Sequence, residues 1–484
     1  MKLPDDFINQ TRAFMGEKLW QALQEGLGGD APVSIRLNPC KCDTAAANVS
    51  GEDGCVPWCG CGRYLAARPN FTFDPMLHAG QYYVQEASSM FLDLVLRQHG
   101  GDAPVTMLDL CAAPGGKSGV ARTALPEGSL LVSNEPMRQR AQVLAENMAK
   151  LGHEDVIVTN NYARDISRSG LKFDILLADV PCSGEGMFRK DPVAVSEWSL
   201  QNVEKCWRLQ RDIVADAWPC LREGGLFIYS TCTFNTKEDE ENVRHICEEL
   251  GAEMLSVDIN GEWGVTGSLL AGFNAPVYRF MPGLTRGEGL FMAVMRKRGG
   301  QGEDTARTKN KKPKKEQRGG KKGGGESPCA KWLREPERFE TVTLNGALTA
   351  IPKAWRATYD VAAARLNVLA AGVRLGETKG KDIIPSQAVA LSRVFDGAAF
   401  PSVELDYAQA IAYLRKEAVA LPDGTPRGHV VMRYNGVPLG FEKNIGNRAN
   451  NLYPAEWKIK STHTPEGNNE VITKRTSDKQ TRIQ

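Results

Sequence analysis

The sequence predicts an α/β fold built around a parallel, doubly wound sheet. Short apolar runs alternate with helix-like stretches between residues 104 and 232, and loops rich in small or acidic residues follow several of these runs. Alternating strands and helices build parallel sheets. Hydrophobic residues make up 42% of the 484 residues, which is ordinary globular composition and excludes fibrous, collagenous and wholly disordered classes.

The predicted elements follow one another in the order that such a sheet requires. Buried strands are expected at residues 105–110, 128–133, 156–158, 173–178 and 226–230. Helices are expected from about residue 117, over residues 137–151 and over residues 203–221. Ligands of doubly wound sheets bind beyond the carboxyl ends of the strands, so the loops after these strands are where binding residues are expected.

The loop after the first strand combines small residues with two glycines. It contains Cys111, Ala112, Ala113, Pro114, Gly115, Gly116 and Lys117. Backbone N–H groups of such a loop can approach a ligand closely at a helix N-terminus, which favours negative charge. The loop lacks the glycine pattern of a dinucleotide site and the spacing of a P-loop, which disfavours NAD and ATP.

An acidic residue, Glu135, follows the second strand about twenty residues after the glycine loop. A carboxylate at this place can accept hydrogen bonds from both hydroxyls of a ribose. Taken alone, Glu135 would be interpreted as a surface acid before a helix. Its position after the glycine loop favours the ribose interpretation.

Two cysteines follow two further strands of the same sheet. Asp179 and Cys182 come after the strand at 173–178, and Cys232 comes after the strand at 226–230. Each cysteine alone would be interpreted as a small buried hydrophobic residue. Together with Asp179 at one edge of the sheet they indicate covalent chemistry, because a thiolate is a strong nucleophile at neutral pH.

These motifs, in this order, resemble the S-adenosylmethionine loop and the two cysteine motifs of the Nop/Sun family of RNA cytosine-5 methyltransferases. The resemblance extends to further segments. Residues 34–38 and 83–89 resemble the family's N-terminal RNA-binding region, and residues 186–192 resemble its bacterial branch that methylates small-subunit ribosomal RNA. Residues 428–454 resemble the PUA-like RNA-binding module of that branch. The resemblance implies a class I S-adenosylmethionine-dependent methyltransferase with a Rossmann-like sheet.

The resemblance also implies roles for single residues. Cys232 would attack carbon 6 of a cytosine, Cys182 would aid release of the product, and Asp179 would hydrogen-bond the base and border the cofactor. S-adenosylmethionine would lie against residues 111–117 and Glu135. The family's usual third cofactor acid is missing, and Asn161 stands near its place.

The implied partner is small-subunit ribosomal RNA, either free or within a ribosomal subunit. A target base must leave any stacked helix to reach these groups, so opened or single-stranded RNA is expected. Arg36, Arg189 and Lys190 are candidate contacts for the RNA backbone, although each alone would be interpreted as a solvated charge. The resemblance implies a monomer.

The domain prediction divides the chain at changes of composition. It expects an N-terminal RNA-binding subdomain (1–100), the methyltransferase domain (101–297), a disordered basic linker (298–328), a connecting domain (329–400), a PUA-like domain (401–464) and a frayed tail (465–484). The region from residue 296 to 322 holds twelve basic residues against three acidic ones, although the whole chain has a formal charge of only +2.

Neither a membrane-spanning apolar run nor a secretory signal is apparent, so a cytoplasmic protein with free thiols is expected.

Five alternatives are weighed. Five cysteines between Cys40 and Cys61 raise the possibility of a zinc site, although their spacing is irregular and no metal is predicted. A zinc deaminase is excluded, because no His-x-Glu pairs with a Pro-Cys-x-x-Cys run. An amino-group methyltransferase would need no nucleophilic cysteine. Transfer RNA as the substrate, and a non-catalytic ribosome assembly factor on the same fold, remain as further alternatives.

Overall fold

The computed structural model describes residues 2–299, 328–380, 382–461, 463 and 469–473. The N-terminal region consists of a long helix, a small antiparallel sheet of order β3-β4-β1-β5, and two further helices. Its elements are α1 (Asp5–Gly28), β1 (Val33–Leu37), β2 (Asn48–Val49), β3 (Glu52–Cys55), β4 (Gly62–Leu65), α2 (Pro75–His78), β5 (Tyr82–Val84) and α3 (Phe91–His99). Helix α1 bends at Gly16, whose φ of 71° favours glycine.

The central region forms the expected doubly wound sheet. Its strands are β6 (Thr106–Asp109), β7 (Leu130–Asn134), β8 (Val156–Thr159), β9 (Phe173–Asp179), β10 (Leu221–Thr231), β11 (Ala252–Leu255), β12 (Val277–Phe280) and β13 (Leu290–Lys297). Its helices are α4 (Gly116–Ala124), α5 (Arg138–Leu151), α6 (Ala163–Ser169), α7 (Pro192–Glu197), α8 (Leu200–Ala217) and α9 (Glu240–Glu249). The strands and helices expected between residues 104 and 232 are confirmed to within a few residues.

The strand order places the expected ligand-binding crevice at the carboxyl ends of the neighbouring strands β6 and β9. Strands β10, β9, β6, β7 and β8 are adjacent and parallel, and β13 pairs antiparallel with β10. From β6 the chain moves outward to β7 and β8, then returns to add β9 and β10 on the other side. The loops after β6 and β9 therefore separate at the switch point, which opens a crevice there.

The C-terminal region contributes two four-stranded sheets and one strand of the central sheet. Its elements are β14 (Phe339–Leu344), β15 (Ala347–Pro352), α10 (Arg356–Arg365), β16 (Val368–Ala371), β17 (Val373–Lys379), β18 (Asp382–Pro385), α11 (Gln387–Leu391), β19 (Ser402–Leu405), α12 (Tyr407–Leu414), β20 (Gly428–Tyr434), β21 (Val437–Asn444), β22 (Ala449–Asn451) and β23 (Ile472–Thr473). The two sheets have the orders β14-β15-β17-β18 and β19-β20-β21-β22.

The C-terminal region shares buried surface with both earlier regions. Strand β16 pairs antiparallel with β8 and so extends the central sheet. A single apolar cluster contains Ile35 and Tyr82 of the N-terminal sheet together with Ile411 and Met432 of the C-terminal segment. Burial of apolar side chains is the main stabilising contribution, so these segments support one another.

Two expectations fall at the edges of the described structure. The predicted linker lies almost wholly outside the described residues. The frayed-tail expectation is wrong for residues 469–473, because β23 pairs with β2 and Val471 is buried. The backbone N–H of Val471 donates to Asp74 Oδ2 at 2.9 Å, so the edge strand β2 and a buried carboxylate hold this segment. No helix within the described parts of the chain could span a membrane.

A buried ion-pair cluster joins β12 to the start of α9. The guanidinium of Arg279 contacts Asp239 Oδ2 at 3.1 Å and Glu240 Oε2 at 2.8 Å, and all three side chains are inaccessible to solvent. Burial raises the pKa of Asp239 well above its ordinary value, although Arg279 opposes the shift. Asp239 also accepts a hydrogen bond from Thr231 at the end of β10, so the cluster stabilises that strand end.

We expect Arg279→Met to destabilise the protein by about 3–5 kcal/mol, because two carboxylates would be left buried without their cation. Urea unfolding followed by circular dichroism measures the change. Arg298→Met is the matched control, since Arg298 pairs with Glu253 at the exposed surface, where an ion pair contributes about 1 kcal/mol or less. Equal destabilisation by the two variants would contradict the prediction.

Candidate active site

A cavity of about 310 Å³ opens at the switch point of the central sheet. We call it the strand-end cavity. Its lining includes residues 83–86 and Ser89 of the N-terminal region, Asp109, most of the 111–117 loop, Asp179, residues 186–187, Lys190, Cys232, and residues 288–289. The cavity therefore collects the loops after β6, β9 and β10, as the strand order requires.

Asp179 is held at the end of β9 by two donors. Lys117 Nζ donates to Asp179 Oδ2 at 2.9 Å, and Ser230 Oγ donates to Asp179 Oδ1 at 2.8 Å. Burial by itself would lower the pKa of Lys117, but the charges of Asp179 and Cys232 raise it overall. Lys117 therefore stays cationic beside both groups, and Asp179 keeps one orientation in the cavity.

The two predicted cysteines lie together, but they differ in their access to the cavity. Cys182 Sγ is 3.1 Å from Cys232 Sγ and accepts the backbone N–H of Cys232 at 3.3 Å. Cys232 lines the strand-end cavity, whereas Cys182 is not one of its lining residues. The contact with Cys232, followed by burial, raises the pKa of Cys182 well above its ordinary value. This arrangement keeps Cys182 protonated beside Cys232.

A buried polar network joins the loops that carry the two cysteines. Glu185 accepts the backbone N–H groups of Phe234 and Asn235 at 2.7 and 3.1 Å. Glu238 accepts the backbone N–H of Ser183 at 3.0 Å, and Asn235 Nδ2 donates to both carboxylates at 3.0 and 2.8 Å. Each loop thus places a carboxylate on the backbone of the other, which fixes the distance between the thiols.

The glycine loop is anchored from the neighbouring elements of the sheet. Ala112 N donates to Asn134 O, Arg140 donates to Ala113 O, and Asn147 donates to Pro114 O, at 2.7–2.8 Å. Gly115 precedes α4 with a φ of 113°, a conformation that L side chains rarely adopt. The loop is therefore rigid where it borders the strand-end cavity.

Two buried carboxylates beside this loop fit the expected S-adenosylmethionine. Asp109 Oδ1 and Glu135 Oε2 are buried and accept no hydrogen bond from the described residues, although Arg140 forms an ion pair with Glu135 Oε2 at 3.5 Å. Burial raises the pKa of Asp109 to about 7. An unpartnered buried acceptor is costly, so it indicates a ligand donor. The ammonium group of the cofactor and its ribose hydroxyls supply such donors.

The side chain of Asn161 is engaged outside the strand-end cavity. Asn161 Oδ1 accepts the backbone N–H of Asn367 at 3.0 Å, and the backbone of Asn161 bonds to the side chain of Asn134. Asn161 does not line the strand-end cavity. It joins the loop after β8 to the segment before β16, so its assignment to the cofactor stays an untested prediction.

Two of the three candidate RNA contacts are not solvated charges. Arg36 is 2% exposed, and Arg189 forms a largely buried ion pair with Glu288 at 3.0 Å. Arg189 also donates to backbone carbonyls of Gly26 and Gly287. Local sequence could not reveal these partners, because they come from distant segments. Lys190, in contrast, lines the strand-end cavity.

The zinc alternative gains no support from the cysteine-rich stretch. Within the described ranges, one set of three potential metal ligands comes together, formed by Glu127, His153 and Asp155. None of the five cysteines from Cys40 to Cys61 belongs to it. Arg393 forms an ion pair with Glu127, so a guanidinium already balances that carboxylate.

Sequence reasoning missed several residues around the cavity. Asp109 could have been found, because an acid at the end of the first strand has the same relation to the sheet as Glu135. Gln85 and Glu86 lay in a segment interpreted as RNA-binding, yet both line the cavity. Glu185 and Glu238 carried no local signal, since their partners are backbone groups brought near only by folding.

Comparison with known proteins finds three family models along the chain. Residues 94–296 match 16S rRNA methyltransferase RsmB/F, residues 3–87 match the N-terminal domain of 16S rRNA methyltransferase RsmF, and residues 400–459 match the methyltransferase RsmF PUA domain. The three matches occur in the same order as the predicted modules.

Full-length relatives and solved structures are also similar. Ribosomal RNA small subunit methyltransferase F of Photobacterium profundum is 30% identical, over 94% of this chain and 97% of that protein. Its counterpart in Shewanella loihica is 28% identical, over 87% of this chain and 88% of that protein. NSun6 from Pyrococcus horikoshii, solved with SFG, has a TM-score of 0.51 at 19% identity over 61% of this chain and 98% of that chain. The structure of PH0851 has a TM-score of 0.54 at 20% identity, over 60% of this chain and 66% of that chain. At these identities the structural likenesses show the fold alone.

We expect limited alkylation with iodoacetamide to modify Cys232 before Cys182, because only Cys232 lines the cavity. In Cys232→Ala the alkylation of Cys182 should become faster, since its pKa is raised chiefly by the contact with Cys232. Peptide mass spectrometry over time measures both rates. Buried Cys220 is an internal control, and unchanged Cys182 reactivity in Cys232→Ala would contradict the inferred coupling.

Proposed function

The chain belongs to the RsmF family of 16S ribosomal RNA methyltransferases and uses S-adenosylmethionine, and from this premise we propose that it methylates carbon 5 of a cytosine through a covalent adduct with Cys232. The substrate is small-subunit ribosomal RNA, with its target base turned out of any helix. The observation that carries the proposal is that Cys232 lines the cavity together with Asp179 and Lys117, with the Cys182 thiol 3.1 Å from the Cys232 thiol.

The nucleophilic step follows from the weak nucleophilicity of cytosine carbon 5. The Cys232 thiolate adds to carbon 6, and the electron pair of the carbon 5–carbon 6 double bond moves to carbon 5. S-adenosylmethionine, when bound, supplies an electrophilic methyl group for that carbon. Loss of the carbon 5 proton then re-forms the double bond, and the Cys232 thiolate leaves. The reaction releases one proton in total.

Cys182 is suited to remove the proton from carbon 5. The contact with Cys232 is the largest cause of its raised pKa, with burial second, and the larger contribution ends once the Cys232 sulfur is bonded to the base. Cys182 then loses its proton to solvent and can accept the carbon 5 proton. When Cys232 leaves as a thiolate, Cys182 is again the protonated partner. Because the two thiols are close together, Cys182 becomes able to accept a proton only after Cys232 has bonded to the cytosine, which is when the carbon 5 proton must be removed.

Asp179 provides selectivity for cytosine. Its carboxylate is fixed by Lys117 and Ser230 and faces the cavity with free lone pairs. A cytosine amino group can donate to it, whereas the carbonyl of uracil at the same position would place an acceptor against an acceptor. Lys117 offsets the negative charge that develops on the ring as the thiolate adds.

The remaining assignments complete the proposal. Residues 111–117 and Glu135 bind the cofactor, with Asp109 facing its ammonium group. The division into an N-terminal subdomain, a methyltransferase domain, a connecting domain and a PUA-like domain is part of the same proposal. The basic linker and C-terminal domain would contact the RNA backbone.

We expect Cys182→Ala to accumulate a protein–RNA adduct when incubated with small-subunit RNA and S-adenosylmethionine, because the attacking thiol remains while the base for release is lost. Denaturing gel electrophoresis with labelled RNA measures the adduct. Its methyl transfer to the RNA should stall after one turnover.

The matched variants separate the two thiols. Cys232→Ala and the double variant should give no adduct and no methylation, and Cys206→Ala, a cysteine outside the cavity, should behave as wild type. Full methylation by Cys232→Ala would favour the amino-group methyltransferase alternative. Labelling of transfer RNA in place of ribosomal RNA would contradict the proposed substrate but leave the proposed reaction mechanism unchanged.

We expect cofactor affinity to rise about tenfold between pH 6 and pH 8, because the pKa of Asp109 is raised to about 7. Below about pH 7 the Asp109 carboxyl is neutral and must release its proton to pair with the ammonium group of the cofactor. Above that pH it is already ionised. Calorimetric titration with S-adenosylhomocysteine measures the affinity. Asp109→Asn should bind weakly at both pH values, and 5′-methylthioadenosine, which lacks the ammonium group, should show no such rise.

A further inference from the structure

Gln85 reaches the strand-end cavity from the N-terminal region, beside the N-terminus of α4. It is 6% exposed and lines the cavity with Lys117 and Asp179. A Cβ placed on Gly116 would lie 3.5 Å from Gln85 Nε2, so the amide nitrogen is adjacent to the first residue of the helix. A donor and a helix N-terminus therefore meet at one wall of the cavity.

The amide of Gln85 has a fixed orientation and an unused donor. Arg36 Nε donates to Gln85 Oε1 at 2.9 Å, which identifies the opposite atom as the nitrogen. Gln85 Nε2 is buried and has no hydrogen-bond partner among the described residues. A buried N–H₂ group without an acceptor is destabilising, so its retention indicates that a ligand supplies the acceptor.

The charge behind Gln85 specifies what kind of acceptor fits. Arg36 is 2% exposed, and in the described part of the chain no carboxylate lies within ion-pair distance of it. Its other contact, to Thr123 Oγ1 at 3.4 Å, is with a neutral group. A buried cation without a directly contacting carboxylate and the positive end of a nine-residue helix both favour an anion.

We propose that Gln85, oriented by Arg36, donates a hydrogen bond to the carboxylate of the amino-acid end of S-adenosylmethionine at the N-terminus of α4. The inference rests on the proposed placement of the cofactor in the strand-end cavity. It gives the N-terminal region a part in cofactor binding, in addition to the RNA contact that the sequence suggested. Arg36 acts as a positioning residue for the Gln85 amide.

The unpartnered atoms around the cavity match the charges of this ligand. Gln85 Nε2 is a donor for the carboxylate, and Asp109 Oδ1 is an acceptor for the ammonium group. Glu135 Oε2, which pairs with Arg140 at 3.5 Å and belongs to a residue outside the cavity lining, is an acceptor for the ribose. A target cytosine would instead offer a neutral acceptor, which gains less from Arg36 and the helix N-terminus. The anionic end of the cofactor is therefore the favoured partner of Gln85.

Calorimetric titration of Gln85→Ala with two ligands tests the proposal. S-adenosylhomocysteine carries the carboxylate, and 5′-methylthioadenosine lacks the whole amino-acid end. The variant should lose about tenfold or more in affinity for S-adenosylhomocysteine and keep its affinity for 5′-methylthioadenosine, because only the former meets the missing donor. Gln85→Glu should lose more, since it places like charges together.

Two further variants define the readout. Gln81→Ala, a buried glutamine of the same region that does not line the cavity, should leave both affinities unchanged. The ratio that matters is the affinity for S-adenosylhomocysteine divided by the affinity for 5′-methylthioadenosine. Arg36→Lys should lower this ratio in the wild-type background and leave it unchanged in Gln85→Ala. The ratio compares two ligands on one protein, so it does not depend on the folded fraction.

Equal losses for both ligands, or no loss for either, would overturn the proposal. A Gln85→Ala protein with normal cofactor affinity and a raised KM for RNA would place Gln85 on the target base. Wild-type protein that bound neither ligand would instead contradict the proposed cofactor site itself. The two failures are therefore distinguishable.

Discussion

The reacting groups of this enzyme depend on the exchange of buried carboxylates between two loops. Glu185 follows one cysteine motif and binds the backbone after the other, and Glu238 does the reverse through Ser183. Asn235 donates to both carboxylates and prevents two buried acids from facing one another unbridged. Since a buried polar network is favourable only when its members are satisfied, the loops have one stable arrangement. That arrangement sets the distance between the Cys182 and Cys232 sulfurs.

The cofactor side of the cavity follows the opposite rule. Loop backbone there is well anchored, but Gln85 and Asp109 each keep a buried polar atom without a hydrogen-bond partner in the described structure. Such atoms reduce the stability of the protein and increase the gain on ligand binding. The thiol side is internally satisfied because its geometry must exist before the substrate arrives. The cofactor side is left incomplete because the ligand completes it.

The flanking regions are integrated with the catalytic sheet. Tyr407 OH donates to Phe73 O at 2.9 Å, and Val471 bonds to Asp74, so C-terminal residues close the N-terminal core. Strand β16 covers the edge of the central sheet at β8. These contacts join the predicted PUA-like segment to the region that supplies Gln85. RNA held by the C-terminal region would therefore have a defined position relative to the strand-end cavity.

The sequence by itself determined the sheet, its binding edge and the chemical groups on three loops. Apolar periodicity and turn composition depend on residues close in sequence. Strands β6 to β10 could therefore be predicted from the local sequence, and so could the residues Lys117, Asp179, Cys182 and Cys232. Each of Cys182 and Cys232 follows a strand of the same sheet, so strand pattern alone did not distinguish them; the family resemblance gave them different roles, and only the tertiary structure placed Cys232 among the residues that line the cavity. It also decided that Arg36 is buried against Gln85 and that Asn161 is taken by Asn367. Partners separated by tens or hundreds of residues leave no local periodicity, because hydrogen bonds between them depend on how the elements pack.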